Sequence, residues 1–162
     1  LKDYLSKLKN KNISYLDMGT GSGILAETAK KSKVKNILAV DIDKETVDYV
    51  KQKGIKAIQS NLFSKIPKTK KFGLITFNAP YLPKDKKEPK ESQKATTGGK
   101  KGDEISIKFL KQAKKHLTKD GKIFLLISSL TPQNKIKKFK PRIVKTKKMF
   151  FEQLLILRFN RF

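Results

Sequence analysis

The chain has 162 residues, no Cys and no Trp, and its 39 Lys and Arg against 14 Asp and Glu give a formal charge of +25. A single domain over residues 1–162 is expected at this length, and an apolar share of 37% is enough to fold it despite the charge. The lack of cysteine excludes a disulfide framework, a thiolate nucleophile and a Cys-bound zinc of its own; the apolar runs at 123–127 and 154–157 fall far short of the ~20 residues that span a bilayer, and the opening LKDYLSKLKN has no signal-peptide core, which predicts a soluble, cytoplasmic protein with no membrane contact.

Leu1, Leu5 and Leu8 make a short amphipathic opening. ISYLDM (13–18) reads as a buried strand running into the turn GTGSG (19–23), and ILAETAKK after it is helical. VKNILAVDID (34–43) is a second strand, with Asp43 placed to cap a helix that contains Val47 and Val50 and stops at Gly54. IKAIQ (55–59) is a short third strand, and KFGLITF (71–77) is a fourth that leads directly into Asn78-Ala79-Pro80-Tyr81. The Lys-, Pro- and Gly-rich stretch 82–102 has no periodicity and predicts a flexible loop on the substrate side. Asp103 is placed to cap a helix with the stripe Ile105, Phe109, Ala113 and Leu117, which ends at Asp120-Gly121, and KIFLLIS (122–128) is the fifth strand. A very short helix around Ile136 precedes RIVKTKK and MFFEQLLILRF, which read as a terminal hairpin packed by Phe150 and Phe151. Alternating strands and helices predict an α/β fold: a mainly parallel, seven-stranded sheet with helices on both faces and an antiparallel hairpin at one edge.

In such a sheet the ligand lies beyond the carboxyl ends of the strands, where the strand order reverses. Three features fall there. The first is Asp17-Met18-Gly19-Thr20-Gly21-Ser22-Gly23, whose glycines allow positive φ and close approach of a ligand. Position 24 is Ile, unlike the dinucleotide fingerprint, and no Gly-Lys-Ser/Thr is present, unlike a P-loop. An aspartate two residues before the first glycine repels a pyrophosphate and suits a cationic or zwitterionic ligand, which points to S-adenosylmethionine. The second is Asp41, placed to accept both ribose hydroxyls of an adenosyl group. The third is Asn78-Ala79-Pro80-Tyr81. A planar NH₂ group, of an amide or a nucleobase, is a poor nucleophile because its lone pair is delocalised. The Asn oxygen and a nearby backbone carbonyl can hold its two hydrogens and aim the lone pair at a methyl group, while Tyr81 stacks on the plane and Pro80 stiffens the loop.

DMGTGSG (17–23), DID (41–43), FNAPYLP (77–83) and TTGGKKGDEI (96–105) resemble the HemK-type class I methyltransferases, which methylate the side-chain amide of glutamine. The GG-x-x-G-x-E pattern at 98–104 and the ending EQLLILRF are similar to the compact archaeal and eukaryotic branch, which acts on the Gly-Gly-Gln glutamine of class I peptide-release factors. The resemblance runs from about Ile13 to Phe159 and implies a Rossmann-like class I methyltransferase fold. It implies S-adenosyl-L-methionine as cofactor, held by Asp17, Gly19, Thr20, Gly21, Gly23, Asp41, Ile42, Asn61, Leu62 and Asn78, with Asp41 on the ribose and Asn61 beside the adenine. Asn78, Pro80 and Tyr81 form the implied catalytic site, without a metal. It also implies a small zinc-binding activator subunit that pairs with the third strand, 55–59, where Ile55 and Ile58 suit an interface. Three departures stand out: Ala79 replaces the first proline of the usual Asn-Pro-Pro-Tyr and loosens the loop, Asn61 replaces an aspartate, and the family's segment ahead of the first helix is missing.

The charge by itself names no reaction. Only Arg142, Arg158 and Arg161 are arginines, so the excess is diffuse lysine, suited to weak contact with RNA or the ribosome or to solubility alone. Two other readings stay open: an RNA or DNA amino-group methyltransferase acting on adenine N6 or guanine N2, since the same clamp holds a base amine, and an inactive binding module of the same fold. His116, the only histidine, reads as a surface or helix-end residue.

Overall fold

A computed structural model describes residues 1–8, 11–84, 89 and 96–161. Its elements are α1 (Lys2–Ser6), β1 (Ser14–Met18), α2 (Ile24–Lys31), β2 (Asn36–Asp41), α3 (Lys44–Gln52), β3 (Ala57–Gln59), β4 (Phe72–Asn78), α4 (Glu104–Ala113), β5 (Leu117–Ser128), α5 (Asn134–Lys137), β6 (Arg142–Lys148) and β7 (Gln153–Phe159). The seven strands form one sheet in the order β3-β2-β1-β4-β5-β7-β6. Strands β1 to β5 pair in parallel, whereas β7 runs antiparallel to β5 and to β6. The order reverses between β1 and β4, where Met18 lies beside Phe77. This is the mainly parallel sheet with an antiparallel hairpin at one edge expected from the alternation of strands and helices.

The pattern of apolar residues explains the layers. β1 is buried on both faces, as a central parallel strand should be. Leu16 and Met18 join the larger core with Phe77, Phe109, Leu110 and Ile123, while Tyr15 points to the opposite face with Leu5, Ala29 and Leu74. Helices α1, α2 and α3 cover that second face through Leu5, Ala26, Ala29, Val47 and Val50, and α4 and α5 cover the first through Phe109, Leu110, Ala113 and Ile136. No helix among the described residues is long and apolar enough to cross a membrane.

Several local expectations need correction. Helix α4 ends at Ala113, a 3₁₀ turn spans Lys114–His116, and β5 starts at Leu117. Pairing with β4 jumps from Phe72↔Leu117 to Leu74↔Lys122, so Asp120-Gly121 forms a bulge within the strand and not a helix stop. Asp103 occupies the N-cap position of α4 but makes no capping bond, because its backbone is helical (φ −102°, ψ −13°) and does not aim the side chain at the helix amides. Asp43, with extended backbone (φ −86°, ψ 129°), does cap α3 and accepts from Thr46 N at 2.8 Å. His116 does end a helical turn, but it is buried and not on the surface, stacked on Phe63 at 4.7 Å with Nδ1 2.8 Å from the Lys70 carbonyl. Phe150 and Phe151 are 99% and 94% exposed and do not pack the hairpin among the described residues, where every residue of the adjoining edge strand β6 is itself exposed. β3 is the other edge strand, but Ile55 is buried against Val47 and Val50 and Ile58 packs on the larger core. The apolar side chains proposed for a partner therefore serve the fold. Of the loop expected at 82–102, residues 85–88 and 90–95 lie outside the described residues.

Candidate active site

The turn after β1 needs its glycines. Gly19, Gly21 and Gly23 have φ of +60°, +50° and +80°. A Cβ on Gly19 would come within 2.7 Å of the Phe77 ring, whereas one on Gly21 would meet nothing within 4 Å. The space above Gly21 is therefore open.

Asp17 lies underneath this turn and is 1% exposed. Its Oδ2 accepts from Thr20 Oγ1 at 2.8 Å and from Ala26 N at 3.2 Å, and its Oδ1 accepts from Thr76 Oγ1 at 3.0 Å. The single hydroxyl hydrogen of Thr76 goes to Asp17, so Tyr15 is the donor in its 2.6 Å contact with Thr76 Oγ1. Gly23, the N-cap residue of α2, has no side chain; the carboxylate of Asp17 supplies an acceptor to the first turn from another element. Burial outweighs the bonds from Thr20, Thr76 and Ala26 and pushes the Asp17 carboxyl up to about 6. With its oxygens so engaged, Asp17 can act on the space above the turn only through its charge and through the turn it holds. The hydroxyl of Thr20 is likewise committed inward, which leaves that residue its backbone for a ligand.

Asp41 closes the second side. Its Oδ2 accepts from Gly21 N at 3.0 Å and its Oδ1 from Asp43 N at 3.1 Å, so one half-buried carboxylate ties the glycine turn to the end of β2. Each oxygen keeps acceptor capacity for a hydroxyl. Ile42 is 58% exposed beside it, and Thr20 N donates to Val40 O at 3.0 Å. Beyond β3, Asn61 is exposed and Leu62 is buried with φ +52°, fixed by Ser60 Oγ donating to the Leu62 carbonyl at 2.9 Å.

Asn78 ends β4 opposite Leu126, with its side chain exposed on the same edge. Ala79 is buried in the larger core, so the residue that departs from the usual proline is anchored by packing. The Tyr81 carbonyl accepts from Thr131 Oγ1 at 3.3 Å. The Tyr81 phenol is raised, chiefly by burial and then by the charge of Glu152. The glycines at 98–102 press on this segment from behind. A Cβ on Gly98 would lie 2.6 Å from the Pro80 carbonyl, and one on Gly102 (φ +88°) would lie 2.5 Å from the Tyr81 carbonyl. Leu82 bridges Thr97 and closes the base of the loop.

The geometry thus gathers Asp17, the glycine turn, Asp41, Ile42 and Asn78–Tyr81 along the carboxyl ends of β1, β2 and β4. Sequence reading alone missed Tyr15, Thr76, Thr131 and Glu152. A threonine inside the apolar run of β4 was the one visible signal. Two clefts of about 390 and 320 Å³ lie elsewhere, one lined by Ser14, Asn36 and Lys70 and one by Lys119 and Arg158, at the amino-terminal edge where this kind of sheet does not place its chemistry.

Comparisons with known proteins bear on the family and the fold. Residues 3–78 match the family model for ribosomal protein L11 methyltransferase (PrmA). A putative protein N5-glutamine methyltransferase of Methanocaldococcus jannaschii is 34% identical, in an alignment that covers 96% of this chain and 87% of that one. A release factor glutamine methyltransferase of Lactococcus lactis is 31% identical over 76% of this chain, which spans only 50% of that longer protein. The crystal structure of ribosomal protein L11 methylase from Lactobacillus delbrueckii subsp. bulgaricus superposes with a TM-score of 0.69 over 98% of this chain and 75% of that one, at 21% identity, a likeness of fold.

Proposed function

Because the chain belongs to the protein N5-glutamine methyltransferases, S-adenosylmethionine-dependent enzymes, we propose that it methylates the side-chain amide of the glutamine in the Gly-Gly-Gln motif of a class I peptide-release factor. The observation that carries the reading is the exposed Asn78 side chain at the carboxyl end of β4, on the same edge as the glycine turn and Asp41. The turn is suited to the cofactor: open space stands over Gly21, Asp41 offers an acceptor beside it, and Ile42 gives an exposed apolar surface. Asn61 and Leu62 complete the proposed adenine side, and Gly19, Thr20 and Gly23 the backbone around the amino acid moiety.

When bound, the cofactor supplies a sulfonium-activated methyl group. The chain's own part is positioning. The Asn78 side-chain oxygen accepts one amide hydrogen and a backbone carbonyl of the following residues accepts the other, which fixes the amide plane and turns the nitrogen lone pair outward. Tyr81 stacks on that plane, and Pro80 limits the backbone of the clamp. One amide hydrogen is lost as a proton once the nitrogen has gained the methyl group and become acidic, so a dedicated base is not needed. The buried charge of Asp17 offsets the positive charge brought in above the turn.

Incubation with labelled cofactor and the cognate release factor is expected to label the Gly-Gly-Gln glutamine. Labelling of RNA and not of that protein refutes the reading. Asn78→Ala is expected to lower kcat by at least ~100-fold at nearly unchanged cofactor affinity, measured by steady-state kinetics and calorimetry. The +25 charge favours a second reading, amino-group methylation of RNA or DNA; methylation of total nucleic acid by wild type and by Asn78→Ala separates the two. The same charge suits weak contact with RNA or the ribosome. A small zinc-binding activator is proposed at β3, for which the support is an edge strand that offers its main chain.

A further inference from the structure

The turn between β6 and β7 stands on the same edge as Asn78. β7 pairs with β5 so that Ser128 faces Leu154, and Ser129 N donates to the Gln153 carbonyl at 2.7 Å while Gln153 N donates to Ser129 Oγ at 2.9 Å. Residues 149–152 therefore project past the carboxyl end of β5, closed by Met149 N donating to the Glu152 carbonyl at 2.8 Å. Thr131 joins the end of β5, beside which the turn stands, to the Tyr81 segment. Its Oγ1 donates to the Tyr81 carbonyl and accepts from Ser128 N, each at 3.3 Å.

Glu152 is the unexplained residue of the turn. Its Oε2 is shut off from solvent and has no hydrogen-bond partner among the described residues, and its charge is felt at the Tyr81 phenol. An acceptor oxygen withdrawn from water without a donor is unfavourable, and a carboxylate more so than a neutral group. Such an oxygen beside the clamp is accounted for when the side chain of this half-buried residue turns outward to a donor that a bound substrate brings. On the outer side of the turn, Phe150 and Phe151 are 99% and 94% exposed. Among the described residues nothing covers them. Two adjacent aromatic rings in water gain by burial on another surface.

We propose that the β6–β7 turn is a second substrate-binding element, in which Glu152 accepts a backbone N–H of the polypeptide that carries the target amide and Phe150 and Phe151 rest on the surface of that protein. This rests on the reading of a polypeptide substrate given above. A carboxylate repels a phosphodiester chain, and a glycine-rich segment has backbone N–H groups that no side chain shields, so an extended peptide is the occupant the turn favours.

The test uses the full chain with two substrates, an intact release factor and a short Gly-Gly-Gln peptide. Glu152→Ala is expected to raise KM for both on the order of tenfold, with kcat changed less than about threefold. Glu152→Gln, which keeps an acceptor oxygen, is expected to recover part of that loss. The double substitution Phe150→Ser, Phe151→Ser is expected to raise KM for the intact factor and leave the peptide unchanged. Thermal unfolding and calorimetric cofactor affinity are measured for each variant, and both should match wild type. Wild type that methylates the factor, with KM unmoved by the Glu152 and Phe variants, overturns this inference alone. A loss in Glu152→Ala that follows a fall in unfolding temperature or cofactor affinity also overturns it, as a structural role. Wild type that methylates nucleic acid and neither polypeptide overturns the functional reading and the inference with it.

Discussion

Asp17 has its oxygens bonded to Thr20, Thr76 and Ala26 and almost no contact with water. Its folded pKa of about 6 lies above the ordinary value of 3.8, so between those values the folded chain holds a proton that the unfolded chain has released. The contribution to stability is therefore complete below about 4 and is lost as pH rises through about 6. Asp17→Asn is expected to remove this slope; the difference in urea midpoint between wild type and variant, followed from pH 4 to pH 7, checks it. A cation above the turn favours the ionised form, so cofactor affinity measured by calorimetry should strengthen over the same interval. Thr76→Val leaves the Tyr15 hydroxyl without its acceptor and Asp17 short of one donor, and is expected to cost about 2 kcal/mol in chemical denaturation. The position of Asp17 was legible in the sequence, and its inward role was not. Its donor Thr76 is 59 residues away, and only the sheet brings them together.

At the scale of elements, Asp43 and Asp103 form an instructive pair. Both precede a helix and both read as caps, yet only Asp43 has the extended backbone that aims its oxygen at the first turn. Asp43→Ala is expected to cost about 1 kcal/mol. Asp103→Ala is expected to cost less, because Asp103 Oδ1 is buried without a partner among the described residues and its removal relieves that penalty. Denaturation midpoints of the two variants compare them directly. Sequence supplied the residue type in each case, but the dihedral angles depend on what precedes it: Gly102, at φ +88°, fits its backbone against the Tyr81 carbonyl and delivers Asp103 in a helical conformation. Gly102→Ala is accordingly expected to disturb the clamp more than the helix, lowering methyl transfer at little cost in helix content by circular dichroism. The bulge at Asp120-Gly121 was misread for a related reason. An Asp-Gly pair is a turn signal, and only the jump in pairing with β4 reveals that the chain returns to the same strand.

For the whole molecule, the alternation of apolar strands and amphipathic helices was enough to place seven of the elements that matter: β1, β2 and β4 with their ends, α2 and α3, and the two strands of the closing hairpin. What pattern could not give was which surfaces remain open. Phe150 and Phe151 read as packing the terminal hairpin and stand in water, whereas Ile55 and Ile58 read as suited to an interface and pack inside. Apolarity states what a residue prefers; the number of layers available decides whether it is satisfied.

The sheet ends on one side at β6, a seven-residue strand with every side chain exposed, where Arg142, Lys145, Lys147 and Lys148 stand along an open rim of main-chain donors and acceptors. Two such rims that approach each other as strands bring like charges to within a few ångströms, and the hydrogen bonds that would zip them must form against that repulsion. The lysines that seemed uninformative about chemistry thus act here as guards against self-association. Replacing Lys145, Lys147 and Lys148 together by Thr should leave the cooperative unfolding of the monomer nearly intact while light scattering at raised salt reports larger particles than wild type forms.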